Sequence, residues 1–254
     1  MNTHLEPVMG TVVGITSPDP LPPEGVAAAV CALHEADRIF STWNPESPMS
    51  LLRAGTAELE DFEPADARLI VEVLEQCRLA RELTGGAFDP WAMPGGPDPS
   101  GLVKGWAADR ALRELTGAGC RTVMVNAGGD IAVAGSPEGH PWRIAVRHPA
   151  QPDRYAAVAE VTGAIATSGD YERPGQLVDP STGRTARVAA SATVTGPDLG
   201  MTDALATALA VAGEALLGVI DRTEGYEAFL VTDAGRYYAT PGMQFAPGAE
   251  RSGI

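Results

Sequence analysis

The chain has 254 residues, of which 44% are apolar and 20% charged, a composition typical of a folded protein with a sizeable core. The formal net charge of −15 repels phosphate backbones and anionic lipid headgroups, so we expect neither nucleic-acid binding nor electrostatic membrane binding. The three cysteines form no CxxC pair, which favours reduced, mostly buried thiols over a zinc site or a disulfide framework.

The N-terminal residues show neither the basic segment nor the long apolar segment of a secretion signal. No apolar run approaches the length of a membrane span. We therefore expect a cytoplasmic protein without a membrane segment. In so acidic a chain, any anionic ligand would need local positive charge, for which a metal ion and backbone amides are the natural sources.

The first half of the chain alternates helical apolar spacing with loops rich in proline and glycine. Helices are predicted over 26–40, 65–84 and 104–115, with a helical turn over 49–52. A short apolar segment bounded by turn residues predicts a strand over 9–15. The segment 88–102 is predicted to be loop, and long loops between helices often carry function.

The second half changes to short segments rich in β-branched residues and separated by turns, which is typical of strands. Strands are predicted over 122–126, 131–134, 142–146, 155–161, 164–167, 176–178 and 190–194, with a final hairpin over 227–232 and 236–239. Helices are predicted over 201–212 and 214–221. Helices followed by a run of strands indicate an α+β fold with antiparallel sheet.

Four clusters of glycine or polar residues could carry chemistry, although each has an ordinary structural explanation. The segment 85–90 (GGAFDP) allows close approach of a ligand, yet a helix end followed by a buried ring is the more common explanation. In the segment 98–105, Lys104 near a helix start suits a phosphate, yet it equally fits an exposed lysine in a first turn.

The other two clusters are rich in side-chain oxygens. The segments 167–171 and 177–183 combine hydroxyls and carboxylates, but two tight turns with Asp and Gly in their usual places explain them better. Asp203 and Thr207 stand at i and i+4 on one helix face, and their oxygens suit Mg²⁺ or Ca²⁺. The alternative is an aspartate favoured by the helix dipole and a threonine packed on a helix of small residues.

Seven short motifs, taken together, resemble those of the ApbE family of FAD:protein FMN transferases in their order and spacing. They are Met9-Gly10-Thr11, Ser41-Thr42-Trp43-Asn44-Pro45, Gly86-Ala87-Phe88-Asp89-Pro90, Lys104-Gly105-Trp106-Ala107-Ala108-Asp109, Asn126-Ala127-Gly128-Gly129-Asp130, Thr167-Ser168-Gly169-Asp170 and Asp203-Ala204-Leu205-Ala206-Thr207. Each motif is weak alone, whereas their shared order over nearly the whole chain is specific.

The resemblance implies a single domain over residues 1–254, with a two-lobed α+β fold of antiparallel sheets and flanking helices, similar to the T-fold. It implies that FAD binds between the lobes with Mg²⁺ at its pyrophosphate, that FMN is transferred to a threonine of a separate acceptor protein, and that AMP leaves. The implied FAD contacts are Met9, Trp43, Ala87, Phe88, Asp89, Asp98, Lys104 and Leu177. The implied metal ligands are the side chains of Asp203 and Thr207 and the carbonyl of Gly101.

The chain departs from the family pattern at the position of the proposed catalytic base. Many members have His where this chain has Gln176, and an amide cannot accept a proton at neutral pH. The candidate bases are therefore Asp170 and Asp179, with Glu172 also nearby in sequence. Trp43 stands where the family usually has Tyr, and it keeps an aromatic face for stacking.

Three functions remain open at this point. The first is the FMN transferase; the second is a metal-dependent FAD pyrophosphatase, in which water replaces the threonine. The third is a non-catalytic FAD-binding protein, which Gln176 favours most. No acceptor-like Asp-x-x-Ser/Thr-x-Thr segment is present, so we expect the acceptor to be a separate flavoprotein.

Overall fold

The computed structural model describes residues 1–93, 95–151, 153–169, 177–186 and 189–247. The described strands are β1 (Asn2–Val8), β2 (Thr11–Ser17), β3 (Val123–Ala127), β4 (Asp130–Ala134), β5 (Trp142–Arg147), β6 (Tyr155–Val161), β7 (Ala164–Ser168), β8 (Val178–Asp179), β9 (Arg184–Thr185), β10 (Ala189–Gly196), β11 (Glu227–Thr232) and β12 (Tyr237–Ala239). Antiparallel pairing gives a large sheet of order β1-β2-β3-β4-β7-β10-β11-β12 and the separate ribbons β5-β6 and β8-β9.

The helices begin and end where local chemistry favours it. They are α1 (Pro23–Phe40), α2 (Pro48–Ala54), α3 (Pro64–Leu83), α4 (Ser100–Gly117), α5 (Leu199–Ala212) and α6 (Glu214–Ile220). Proline stands in the first turn of α1, α2 and α3, where its missing N–H costs nothing. The side chain of Ser47 caps the start of α2, and Gly55 ends it in the left-handed region.

Side chains alternate between the two faces of the large sheet, so its strands contribute to two hydrophobic cores. On β7, Ala164 and Ala166 face the helices, whereas Ile165 faces the ribbon β5-β6. On β11, Leu230 faces the helices and Phe229 lies on the opposite face. The small side chains on the helix face let α5 pack closely against β7 and β10.

This architecture confirms the predicted α+β class with antiparallel sheets and flanking helices. The helices predicted in the first half and around residue 205 are confirmed, as are most strands of the second half. Within the described ranges, no helix is both long enough and apolar enough to cross a membrane.

The strand predicted over 9–15 is wrong at its start, because Met9 lies in a turn. β1 and β2 form a hairpin in which Val8 pairs with Thr11, and Met9 and Gly10 have φ of 53° and 66°. Two consecutive left-handed residues form the turn that matches the twist of paired strands. β1 was missed because most of its residues are exposed, Leu5 among them, so it lacks an apolar alternation.

The loop predicted over 88–102 is shorter than expected. A 3₁₀ turn occupies Pro90–Ala92, and α4 already begins at Ser100. The N-cap is Pro99, and the carboxylate of Asp98 just before it accepts a hydrogen bond from the N–H of Ser100 at 3.1 Å, as in an Asx turn. The apolar spacing alone placed the start at Lys104, whereas the helix begins at Ser100.

Two of the three cysteines are buried, as the prediction of mostly buried thiols expects, and Cys31 is exposed on α1. Cys77 is fully buried, and burial, followed by the nearby carboxylate of Asp98, raises the pKa of its thiol to about 12. Cys120 is 7% exposed, and burial raises its thiol pKa as well.

We expect the native protein to react rapidly with a chromogenic disulfide reagent at Cys31 alone, because only a thiolate attacks. Cys77 and Cys120 should react only after unfolding in guanidinium. Mass-spectrometric mapping of the labelled peptides checks the assignment. Rapid native labelling of Cys77 would show that its surroundings are more open than described.

Candidate functional site

Helices α4 and α5 lie side by side and form the framework of the site. Their contacts run from Asp109 with Leu199 at one end to Gly101 with Thr207 at the other, so the two helices are antiparallel. Between these ends, a Cβ on Gly105 would lie 2.4 Å from the carbonyl oxygen of Leu199. Only glycine allows this approach of two helix backbones.

Lys104 joins two carboxylates from distant parts of the chain. Its Nζ donates hydrogen bonds to Oδ2 of Asp130 and, at 3.1 Å, to Oδ2 of Asp203. The two aspartate side chains are only 9% and 7% exposed. Asp130 also accepts a hydrogen bond from the N–H of Thr167 at 3.0 Å. One ammonium therefore serves two buried carboxylates.

The electrostatics of this cluster suit an additional cation. Burial raises the pKa of Asp203, and the charge of Lys104 and its hydrogen bond act in the opposite direction. The cluster contains two carboxyl groups and one ammonium, so its ionised form has one more negative than positive charge. Buried charge without compensation is costly, so a cation bound here would lower the free energy of the site.

The hydroxyl of Thr207 lies one helical turn beyond Asp203 on α5. It is 3.3 Å from the hydroxyl of Ser168, at the end of β7. A Cβ on Gly101 would lie 3.6 Å from Thr207 Oγ1, so the start of α4 adjoins the same hydroxyl. The predicted ligand residues Gly101, Asp203 and Thr207 are therefore gathered along one helix interface.

The donor set consists of oxygens only, which fits a hard cation such as Mg²⁺. Among the described residues, no cluster of three or more His, Cys, Asp or Glu side chains is arranged to hold a metal. A site at Asp203 would instead depend on one carboxylate with hydroxyl and carbonyl oxygens. The chemistry of these residues fits the ion, and its binding is a proposal.

The segment after α3 is held rigidly beside α4. Thr84 Oγ1 accepts a hydrogen bond from the N–H of Phe88 at 3.1 Å, and the left-handed Gly85 and Gly86 reverse the chain between them. The ring of Phe88 is buried, and a Cβ on Gly101 would lie 3.1 Å from its Cε2. Phe88 thus packs on the start of α4, and Ala87 is half-buried beside it.

Arginines hold the two predicted acidic FAD contacts. Arg81 Nε donates to Asp89 Oδ2 at 2.7 Å, and Arg53 Nη1 donates to Asp98 Oδ2 at 2.8 Å. Both pairs are partly buried on the aspartate side. These ion pairs fix the ends of the loop that precedes α4.

The three remaining predicted FAD contacts differ in exposure. Met9, in the β1–β2 turn, and Leu177, before β8, are half-buried against the helical core. Trp43 is 95% exposed in the connection between α1 and α2, so its ring is free to stack on a planar ligand.

The carboxylate of Asp179 is hydrogen-bonded within the turn that follows it. Its carboxylate accepts hydrogen bonds from the side chain and N–H of Ser181 and from the hydroxyl of Thr182. These hydrogen bonds, the one from the Ser181 hydroxyl foremost, lower the pKa of Asp179, which makes it a weaker proton acceptor. Asp170, the other candidate base, lies outside the described residues, as do Glu172 and Gln176.

Several residues at the site were not assigned from the sequence. Asp130 and Ser168 lie within two of the family motifs, which was the only signal for them. No sequence pattern pointed to Arg53 or Arg81. The partner of Arg53 is distant in sequence, and the partner of Arg81 lies beyond the C-terminus of α3.

A sequence profile of the ApbE family matches residues 9–95 and 97–230. The chain belongs to the ApbE family. This match confirms the family that the seven motifs indicated.

Relatives of this ApbE-family chain are named FAD:protein FMN transferase. The protein from Rhodobacter capsulatus is 39% identical over 157 residues, which cover 58% of this chain and 30% of the relative. The Vibrio cholerae protein is 38% identical over 130 residues, which cover 46% of this chain and 39% of the relative. The Escherichia coli K12 protein is 32% identical over 155 residues, which cover 56% of this chain and 44% of the relative. The matched region thus spans less than half the length of each of these relatives.

Solved structures with the ApbE name share the fold. The ApbE protein from Thermotoga maritima has a TM-score of 0.81 at 24% identity, covering 94% of this chain and 97% of that chain. The flavin transferase ApbE from Vibrio cholerae has a TM-score of 0.75 at 23% identity, with the same coverage. At these identities the similarity establishes the ApbE fold.

Proposed function

We propose that this protein is an FAD:protein FMN transferase, a single domain that moves FMN from FAD to a threonine of an acceptor protein and releases AMP. The observation that carries the proposal is the α4–α5 interface, where Lys104, Asp203 and Thr207 lie beside Gly101. Membership of the ApbE family and the transferase names of the relatives support it.

The proposed reaction is a phosphoryl transfer with a protein hydroxyl as nucleophile. A P–O bond forms between the acceptor threonine and the FMN phosphorus, the pyrophosphate P–O bond to AMP breaks, and the hydroxyl proton passes to a base. A Mg²⁺ held by Asp203, Thr207 and the carbonyl of Gly101 would supply positive charge for the pyrophosphate and for the departing AMP. Lys104 adds a fixed positive charge near the N-terminus of α4, where anions are favoured.

The remaining predicted FAD contacts have distinct proposed roles. Trp43 offers an exposed ring for stacking, and Met9 and Leu177 offer half-buried apolar surface. Asp89 and Asp98 would contact FAD from loops that Arg81 and Arg53 hold in place.

The testing experiment mixes the purified protein with FAD, Mg²⁺ and an acceptor domain of an ApbE-modified flavoprotein. AMP release is followed by chromatography, and the acceptor by in-gel flavin fluorescence. AMP together with a fluorescent acceptor band is the expected result, and chelation of Mg²⁺ should abolish both. AMP without the band would instead establish a pyrophosphatase, and FAD binding without either product would establish a binding protein.

The substitution Gln176→His tests the missing base. If proton removal limits transfer, supplying an imidazole should raise the rate of acceptor labelling by about a hundredfold, the lower range of general base catalysis. Single-turnover labelling at several pH values measures the gain. Gln176→Asn serves as the control, since it supplies no base. An unchanged rate in Gln176→His would mean that another group already accepts the proton.

The proposal also includes the identity of the acceptor protein and the cellular location of this chain. The acceptor is proposed to be a separate flavoprotein with a threonine-containing motif, and mass spectrometry of the labelled acceptor would locate the modified residue. We propose a location in the cytoplasm, which cell fractionation checks.

A further inference from the structure

Asp109 is the last residue of the motif that carries Lys104, yet it has no part in the proposed chemistry. It lies on the same face of α4 as Gly101 and Gly105, at intervals of four residues. Its Oδ2 accepts hydrogen bonds from the N–H groups of Leu199, at 2.7 Å, and Gly200, at 3.0 Å. These are first-turn amides of α5, which a helix leaves without an internal partner.

The start of α5 needs this external acceptor. Its own N-cap, Asp198, accepts from the N–H of Met201 at 2.9 Å, and the hydroxyl of Tyr226 donates to the other oxygen of Asp198. Leu199 and Gly200 are buried, so bulk water does not reach their amides. Asp109 therefore completes the hydrogen bonding of the first turn of α5.

Holding a carboxylate at this position is costly for the folded protein. The net pKa of Asp109 is raised to about 6, mainly by burial. The nearby carboxylate of Asp198 also raises this pKa, whereas the hydrogen bonds from the Leu199 and Gly200 amides and the charge of Arg113 lower it. Because the folded pKa lies above the usual value, ionised Asp109 reduces the free energy of unfolding at neutral pH.

We propose that Asp109 is a positioning residue for the metal site, an inference that rests on the proposed function. By holding the first turn of α5 against α4, it sets the register in which Asp203 and Thr207 face Gly101. Asp109 and Gly101 are separated by eight residues, or about 12 Å along the helix axis. Asp109 acts through α5 and contacts neither the metal nor FAD.

The test is a titration of the full chain with Mn²⁺ in the presence of FAD, followed by electron paramagnetic resonance of the free ion. Asp109→Ala is expected to raise the Kd for Mn²⁺ by about tenfold, as residues that orient metal ligands commonly do. Asp109→Asn keeps an oxygen that accepts both hydrogen bonds, so it should restore the Kd to within about threefold of wild type.

Asp66→Ala is the matched control. Asp66 is another largely buried aspartate that accepts two hydrogen bonds, both from Arg38, but it joins α1 to α3. Its loss should lower the melting temperature without changing the Kd for Mn²⁺. An unchanged Kd in Asp109→Ala, or an equal rise in Asp66→Ala, would overturn the inference. No Mn²⁺ binding by the wild type would overturn the proposed metal site itself, and with it this inference.

Discussion

Replacing Asp203 by asparagine is expected to lower metal-dependent AMP release by at least about a hundredfold while the fold is retained. The amide has nearly the shape of the carboxylate but lacks its charge, so the proposed ion loses its only anionic ligand. The fold should persist because Lys104 keeps its ion pair with Asp130. Initial rates over a range of Mg²⁺ concentrations, together with thermal melting, measure both effects.

Asp66→Asn provides the comparison for this variant, since it neutralises a largely buried aspartate outside the α4–α5 interface. It should retain the wild-type dependence of the rate on Mg²⁺. Full AMP release by Asp203→Asn at limiting Mg²⁺ would show that the assigned metal site is wrong. The proposal of a flavin transferase would then need a different set of ligands.

Replacing Gly105 by alanine should destabilise the protein by about 3 kcal/mol, toward the upper end of the usual cost of overpacking. The added Cβ would lie 2.4 Å from the carbonyl oxygen of Leu199 and 2.9 Å from the nitrogen of Gly200. Both are backbone atoms of α5, so no side-chain rotation relieves the clash, and the two helices must move apart. Urea unfolding measures the change in the free energy of unfolding.

Gly117→Ala on the same helix is the internal control. A Cβ there meets no atom within 4 Å, and alanine in a helix is more favourable than glycine by roughly 0.5–1 kcal/mol. The two identical chemical changes should therefore have opposite signs. Equal stability of Gly105→Ala and wild type would mean that α4 and α5 are not in the close contact described.

Helices were predicted well because their signals are local. The apolar spacing over 26–40 and 65–84 corresponds to the observed Pro23–Phe40 and Pro64–Leu83, and a proline in each first turn marks the start. The exposed strand β1 was missed, since its stability comes from pairing with β2 and not from apolar burial. Apolar periodicity therefore could not predict that β1 pairs with β2.

The site was predictable in part. Lys104, Asp203 and Thr207 were each assigned through family motifs, and the structure gathers them along one interface. Asp130 was not assigned, because within its motif it resembles an ordinary residue of a hairpin turn. It reaches Lys104 only because the large sheet places the start of β4 beside α4.

The sequence by itself determined the family, the α+β class, the main helices and the kinds of side chain available for chemistry, because each of these depends on short-range patterns and motif order. Only the tertiary structure decided that Lys104 is shared by Asp130 and Asp203, 26 and 99 positions away in the chain. It also decided that Asp109 holds the start of α5. Hydrogen bonds and charge pairing depend on distances of a few ångströms in space, and the packing of α4 against β4 and α5 sets those distances.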